Sequence, residues 1–327
     1  MTHRLFDPLA LNDGGLGRRS IGILRESQVP SGAFVASPNF PTYHYSWLRD
    51  GAFCARALDL AGEHARAAAF HRWVERAVRG QRERVEFIVG RLDADITPGH
   101  HEMLPARYTL DGQLETHDPA DPWPNYQLDG YGTWLWGLRE HLQHVKSAVF
   151  DRDAVELVAR YLVAAWKTDC CDCWEEFGDG QHASTLAAVV AGLSAAGELL
   201  GRPDYVEEAE RARKYLLSAF CRDGAFRKGA TDDRLDASLL WLALPFGVVD
   251  VYDPMMQQTV QVLRTQVVGP GGGVYRYRGD TYYGGGQWIL LTCWLAWYDA
   301  VTGQRDLYEA GRRWVVAQAS TNLDRPE

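Results

Sequence analysis

Trp174-Glu175-Glu176 places two adjacent carboxylates beside an indole in a stretch too rich in Asp and Gly to be helix interior. Far upstream stands Trp47-Leu48-Arg49-Asp50, and far downstream Arg276-Tyr277-Arg278-Gly279-Asp280. The chain ends on Arg325-Pro326-Glu327. Carboxylates presented from separate loops, with guanidinium groups and aromatics between them, suit hydrolysis of a glycosidic bond. One acid protonates the leaving oxygen and one base activates a water. Aromatic rims pack on sugar faces, and Arg and Asp bind hydroxyls.

Positioning such loops takes a large scaffold, and the composition supplies one. The 327 residues are 46% hydrophobic and 24% charged, with a net charge of −9. A buried core follows, and the acidic balance argues against nucleic-acid or anionic-membrane partners. The substrate expected is a small neutral molecule. Twelve Trp and fifteen Tyr are many for a helical chain, and several fall in loop-like segments. Met1-Thr2-His3-Arg4-Leu5-Phe6 has no apolar signal region, and no apolar run approaches the roughly 20 residues of a membrane span. These features predict a cytoplasmic protein with reduced cysteines. The run Cys170-Cys171-Asp172-Cys173 lacks a second ligand pair at zinc spacing, so it reads as packing; no metal and no cofactor are expected.

The periodicity is helical almost throughout. Helices are predicted over 17–28, 48–62, 64–82, 126–143, 150–167, 182–200, 203–219, 234–243, 252–267, 285–302 and 304–319. Leu186, Val189, Val190 and Leu193 share one helix face, and Gly201 and Gly303 follow as stops. Short connections alternate with long ones at 29–47, 83–125, 168–181, 220–233 and 268–284, and the long ones carry almost every motif. Helical hairpins arranged in a ring, with their long loops at one end, enclose a pit there. Eleven helices is an odd number, whereas a closed ring of hairpins needs an even one. The expected architecture is therefore an all-α, (α/α)6 toroid lacking its last helix in this chain, with 1–327 as a single catalytic domain.

Taken together, these motifs resemble glycoside hydrolase family 15, the glucoamylase family, over roughly 16–327. Pro38 to Asp50 is similar to the family's first signature region. The resemblance implies that Arg49 and Asp50 bind hydroxyls of the terminal glucose, with Tyr43 and Trp47 lining that subsite. Trp123-Pro124-Asn125-Tyr126 resembles the second region and implies an aromatic at Trp123 beside the acid. Asp129 is equally well read as a helix-start carboxylate. In the third region the first glutamate is the family's general acid, which implies that role for Glu175 and a substrate contact for Glu176. Burial beside Trp174 and a neighbouring carboxylate would keep that acid protonated near neutral pH. Arg276 resembles the fourth region's sugar-binding arginine, and Trp288 a following aromatic wall. The family's general base, commonly a glutamate after proline, implies Glu327. Asp280 and Gln287 are the alternatives, although Gln287 cannot ionise. Gly284-Gly285-Gly286 lacks the Lys-Ser/Thr of a phosphate loop. His100-His101-Glu102 reads as a loop contact to substrate or as nothing functional, rather than as metal ligands.

The resemblance implies an exo-acting, inverting α-glucoside hydrolase that releases glucose from isomaltose-type or short malto-oligosaccharide substrates. A trehalase is the alternative enzyme. A catalytically silent, carbohydrate-binding toroid is the alternative of another class, because fold alone does not give function.

Overall fold

The computed structural model describes residues 15–115 and 126–318. Eleven α-helices run through them: α1 Leu16–Ser27, α2 Leu48–Leu60, α3 His64–Arg79, α4 Arg82–Asp93, α5 Asp129–His144, α6 Arg152–Ala165, α7 Ala183–Leu200, α8 Pro203–Ala219, α9 Pro254–Val267, α10 Ile289–Val301 and α11 Arg305–Gln318. A 3-10 segment, Ala237–Leu242, lies between α8 and α9.

Neighbour relations define the ring. Going round its inner wall, α2 packs on α5, α5 on α7, α7 on Ala237–Leu242 and that segment on α10. The remaining helices form the outer wall, with α3 bridging α2 and α6, and α8 against α7. Sequence explains the assignment. Helix α7 reads ASTLAAVVAGLSAAGELL and is buried on nearly every side, as an inner strut must be. It is long and apolar enough to cross a membrane, but 83% of it is buried inside the ring. Outer helices α6 and α9 are capped by Asp151 and Asp253, whose side chains accept the N–H groups of Ala154 and Met255 at 3.1 and 2.8 Å. The α5–α7 contact is close because both partners are glycine. A Cβ on Gly132 would fall 2.3 Å from the Ala188 carbonyl oxygen, and one on Gly192 would fall 2.6 Å from Gly132 Cα.

Three expectations are corrected. The connection 83–125 contains α4, a 3-10 turn at His100–Glu102 and a strand, β2, at Arg107–Thr109. Helix α4 turns Val85, Ile88, Val89 and Leu92 to the core at the i, i+3, i+4, i+7 spacing of a helix face, a signal that the predicted loop overlooked. The predicted α-helix over 234–243 is the six-residue 3-10 segment instead. Pro245 bars the residue before it from continuing an α-helix, and Asp236 caps the start by accepting the Ser238 N–H at 2.8 Å. The helix predicted from 285 begins at Ile289, because Gly284 and Gly285 have φ of 83° and 76°.

The inner elements present their N-terminal ends together. Arg49 lies in the first turn of α2, Asp129 opens α5, the Trp174-Glu175 loop precedes α7 and Trp288 precedes α10. That end holds a cavity of about 710 Å³.

Candidate active site

The cavity is lined by Tyr43, Trp47, Arg49, Asp50, Glu175, Arg276 and Trp288, which the sequence singled out. Trp174, Trp241, Tyr282, Tyr283 and Trp294 also line it. Glu176 sits behind this wall. Its carboxylate accepts from Arg276 Nη2 at 3.1 Å and from the Tyr277 hydroxyl at 2.7 Å. Trp123 and Glu327 lie outside the described residues.

Glu175 is held in an unusual backbone. Its φ is 67°, a left-handed conformation that costs a non-glycine residue on the order of 1–3 kcal/mol. Phe177, two residues on, has φ of 54°. Asp172 enforces the turn. Its Oδ1 accepts the N–H groups of Trp174 and Glu176, each at 2.9 Å, while its carbonyl accepts the Glu175 N–H at 3.0 Å. Asp172 is anchored in turn by Lys228, whose Nζ lies 2.5 Å from Asp172 Oδ2 and 2.7 Å from Asp236 Oδ2. Asp236 also accepts the Trp174 indole N–H, at 3.0 Å to Oδ2. All three charged groups are buried. Burial alone would lower the Lys228 pKa, but the two carboxylates raise it above the ordinary lysine value. His182 ties down the far side of the loop, with Nε2 at 3.0 Å from both the Phe177 and the Cys170 carbonyl oxygens.

The reacting end of Glu175 faces the pit. Trp47 Nε1 donates to Glu175 Oε1 at 2.6 Å. Trp47 is positioned by β1, Tyr45–Trp47, whose antiparallel partner β2 sets Arg107 opposite Trp47. Burial raises the Glu175 pKa, and Asp50 adds to the rise; Arg49, Trp47 and Arg107 pull the other way without cancelling it. A carboxylic acid kept protonated above its ordinary range, against an aromatic wall, is what a proton donor to a leaving group requires.

The two arginines are rigid. Arg49 Nη1 donates to Asp129 Oδ2 at 3.0 Å and to Gln127 Oε1 at 3.2 Å. Gln127 donates in turn to the Asp172 carbonyl, so Arg49 and the Glu175 loop share one support. Asp129 therefore anchors an arginine from the start of α5. Arg276 is clamped by Asp280 through Nε–Oδ2 at 2.8 Å and Nη2–Oδ1 at 2.6 Å, and its Cζ lies 4.8 Å from the Tyr282 ring centroid. Burial would raise the Asp280 pKa, but the Arg276 hydrogen bonds outweigh it and hold the carboxyl below the usual range. Asp280 is thereby spoken for as an arginine clamp. Gln287 reaches the Tyr275 hydroxyl at 3.4 Å. The Tyr43 and Tyr282 hydroxyls meet at 3.1 Å.

Sequence reasoning missed Lys228 and Asp236, which sit singly in ordinary segments, and saw Asp172 only within a cysteine run. Tyr282 and Tyr283 carried a readable signal, two aromatics in a glycine-rich loop. Cys170, Cys171 and Cys173 are buried free thiols, and burial pushes Cys171 up to about 12, so they pack as protonated groups.

A ring of helical hairpins with a half-buried carboxylic acid, two arginines and stacked indoles in one pit defines a glycoside hydrolase. The chain belongs to family 15 of the glycosyl hydrolases, whose family model matches residues 18–323. It is similar to the isomaltose glucohydrolase of Kribbella flavida, at 35% identity over 320 residues, covering 95% of this chain and 82% of that protein. Trehalase 1 of Sulfolobus acidocaldarius matches at 21% identity, over 89% of this chain and 54% of that protein. A solved structure of a glycosidase variant in complex with glucose superposes with a TM-score of 0.88 at 34% identity, covering all of this chain and 87% of that one.

Proposed function

We propose that this chain is an α-glucoside glucohydrolase that removes one glucose at a time from the non-reducing end of small substrates, with inversion. The observation that carries the reading is Glu175: a half-buried carboxyl with a raised pKa, bonded to Trp47 and facing an aromatic pit. Glu175 donates its proton to the glycosidic oxygen as the bond to the anomeric carbon breaks. Arg49, Asp50 and Tyr43 bind hydroxyls of the terminal sugar, with Trp47 against its face. Arg276 and Trp288 receive the leaving sugar, and Glu176 fixes the angle of Arg276. Trp123 adds a wall beside the acid. Glu327 deprotonates the water that attacks the anomeric carbon from the face opposite Glu175, so the positive charge of the transition state collapses onto a β-configured product.

Isomaltose-type α-1,6 disaccharides and short malto-oligosaccharides are the substrates favoured, on the 35% identity to an isomaltose glucohydrolase. The more distant likeness to a trehalase supports trehalose as the second candidate. The six free cysteines suit a reducing, cytoplasmic compartment. The test is direct: incubate the protein with isomaltose, maltose and trehalose and measure glucose. Release from isomaltose or maltose at the highest kcat/KM supports the proposal; trehalose preferred over both favours the trehalase. No glucose from any α-glucoside would leave a carbohydrate-binding toroid.

A further inference from the structure

A second convergence of ionisable side chains lies at the end of the ring away from the pit. Asp59 is in the last turn of α2, His141 in the last turn of α5 and His71 in the middle of α3. All three are buried. One ligand atom from each falls within 4.8 Å of the others. His141 Nδ1 lies 2.9 Å from Asp59 Oδ2 and 3.0 Å from Oδ1. His64, the first residue of α3, brings its Nδ1 to 2.8 Å from Asp59 Oδ1, and its side chain is 39% exposed.

His71 is the informative member. It is 2% exposed, and neither of its ring nitrogens has a hydrogen-bond partner among the described residues. A neutral imidazole carries one N–H donor and one lone pair, and buried polar atoms are nearly always satisfied. Its ring stands 5.1 Å from that of His141. An imidazole nitrogen that carries no proton offers its lone pair to a cation. An idle lone pair aimed among a carboxylate and a second imidazole is a ligand waiting for a cation.

We propose that Asp59, His71 and His141 form a binding site for one divalent transition-metal cation of the zinc type, with His64 supplying a fourth ligand from the solvent side. Two imidazoles and a carboxylate suit zinc and its first-row neighbours, whereas calcium and magnesium demand more oxygen ligands. Coordination through His141 Nδ1 displaces the proton that this nitrogen shares with Asp59, and that proton passes to Nε2 or to solvent. The cation ties inner helices α2 and α5 to outer helix α3. It sits away from the reacting atoms and serves the scaffold.

The experiment uses the whole protein stripped with a chelator and titrated with Co²⁺ alone, followed by absorption spectroscopy and calorimetry, with Zn²⁺ as competitor. The expected result is one equivalent bound, visible bands of a four- or five-coordinate nitrogen and oxygen site, displacement by Zn²⁺ and a higher melting temperature. His71→Phe should weaken binding by at least about tenfold, the lower end of what even groups behind a metal ligand are worth, and should leave glucoside hydrolysis intact. Should that variant not fold, His64→Ala carries the mutational arm and should also weaken Co²⁺ binding. Absence of Co²⁺ binding, a thiolate-to-cobalt charge-transfer band from the cysteines, or unchanged affinity in the folded variant overturns the proposal. Glu175→Gln should bind the cation as well as the wild type, which separates this site from the hydrolytic one.

Discussion

The indole nitrogen of Trp47 lies 2.6 Å from the carboxylate of Glu175, joining the end of strand β1 to a loop 128 residues away in sequence. An N–H donor stabilises the ionised form, so this bond opposes the burial that raises the Glu175 pKa. Trp47→Phe keeps the ring and deletes the donor. A hydrogen bond to a charged group is worth about 1.5–3 kcal/mol and one pKa unit is about 1.4 kcal/mol. The alkaline limb of kcat/KM should therefore move up by about one pH unit in the variant. A limb that stays in place, or moves down, would separate Trp47 from the acid.

Glu175 itself has a sharper test. Its raised pKa keeps the proton on at pH values where an exposed glutamate has lost it. Activity should be fullest below the folded pKa and fall as pH rises through it. Glu175→Gln preserves size and hydrogen bonding but has no proton to give. The rate should drop about 10²–10⁴-fold, the usual worth of a general acid, with glucose binding retained and the alkaline limb flattened. An unchanged turnover on the best substrate removes Glu175 from the role.

The loop that presents Glu175 rests on Lys228 between Asp172 and Asp236. Lys228→Met leaves two carboxylates buried without their cation. Breaking a buried pair in this way costs about 3–5 kcal/mol, so urea denaturation should register a large loss of stability. Because Asp172 also fixes the left-handed backbone at Glu175, kcat should fall in whatever protein remains folded. Stability within about 1 kcal/mol of wild type, the size of one ordinary hydrogen bond, would show that the triad bears no load.

The same triad shows what a sequence can and cannot display. The toroid was legible because helix period survives in the chain, as at Leu186, Val189, Val190 and Leu193, all buried on α7. Glu175 was legible because a Trp-Glu-Glu run in a loop has no packing purpose. Lys228 and Asp236 were not, since a single Lys or Asp in a connection looks like solvated charge until the fold buries it. Helix α4 was legible too, since Val85, Ile88, Val89 and Leu92 keep the helical period; six charged residues among its twelve made the stretch look like a solvated connection. The 3-10 segment at Ala237–Leu242 has the apolar content of an α-helix; what shortens it is Pro245, whose effect on the preceding turn outweighs that content. His71 and His141 are unremarkable in sequence because their meeting with Asp59 is made by three different helices.

Glu327 is the remaining catalytic assignment, and it lies outside the described residues. Its role is a proposal of chemistry. An inverting enzyme holds its acid and base carboxyls about 6.5–9.5 Å apart, leaving room for a water, whereas a retaining one closes the gap to about 5–5.5 Å and uses the second carboxylate as nucleophile. The stereochemical outcome therefore reports directly on the role of the second carboxylate. With isomaltose or maltose as substrate, the first glucose released should appear by NMR as the β-anomer, before mutarotation mixes it. Asp280 is clamped to Arg276 and Glu176 to Arg276 and Tyr277, so neither is free to substitute for the base. Glu327→Ala should consequently abolish hydrolysis while leaving the melting temperature and glucose binding near wild type. Adding a small exogenous anion such as azide should restore turnover in that variant by attacking the anomeric carbon from the vacated side, yielding a β-glucosyl azide from an α-glucoside with a good leaving group. Initial α-glucose from the wild type, or full activity in Glu327→Ala, excludes an inverting mechanism with Glu327 as its base.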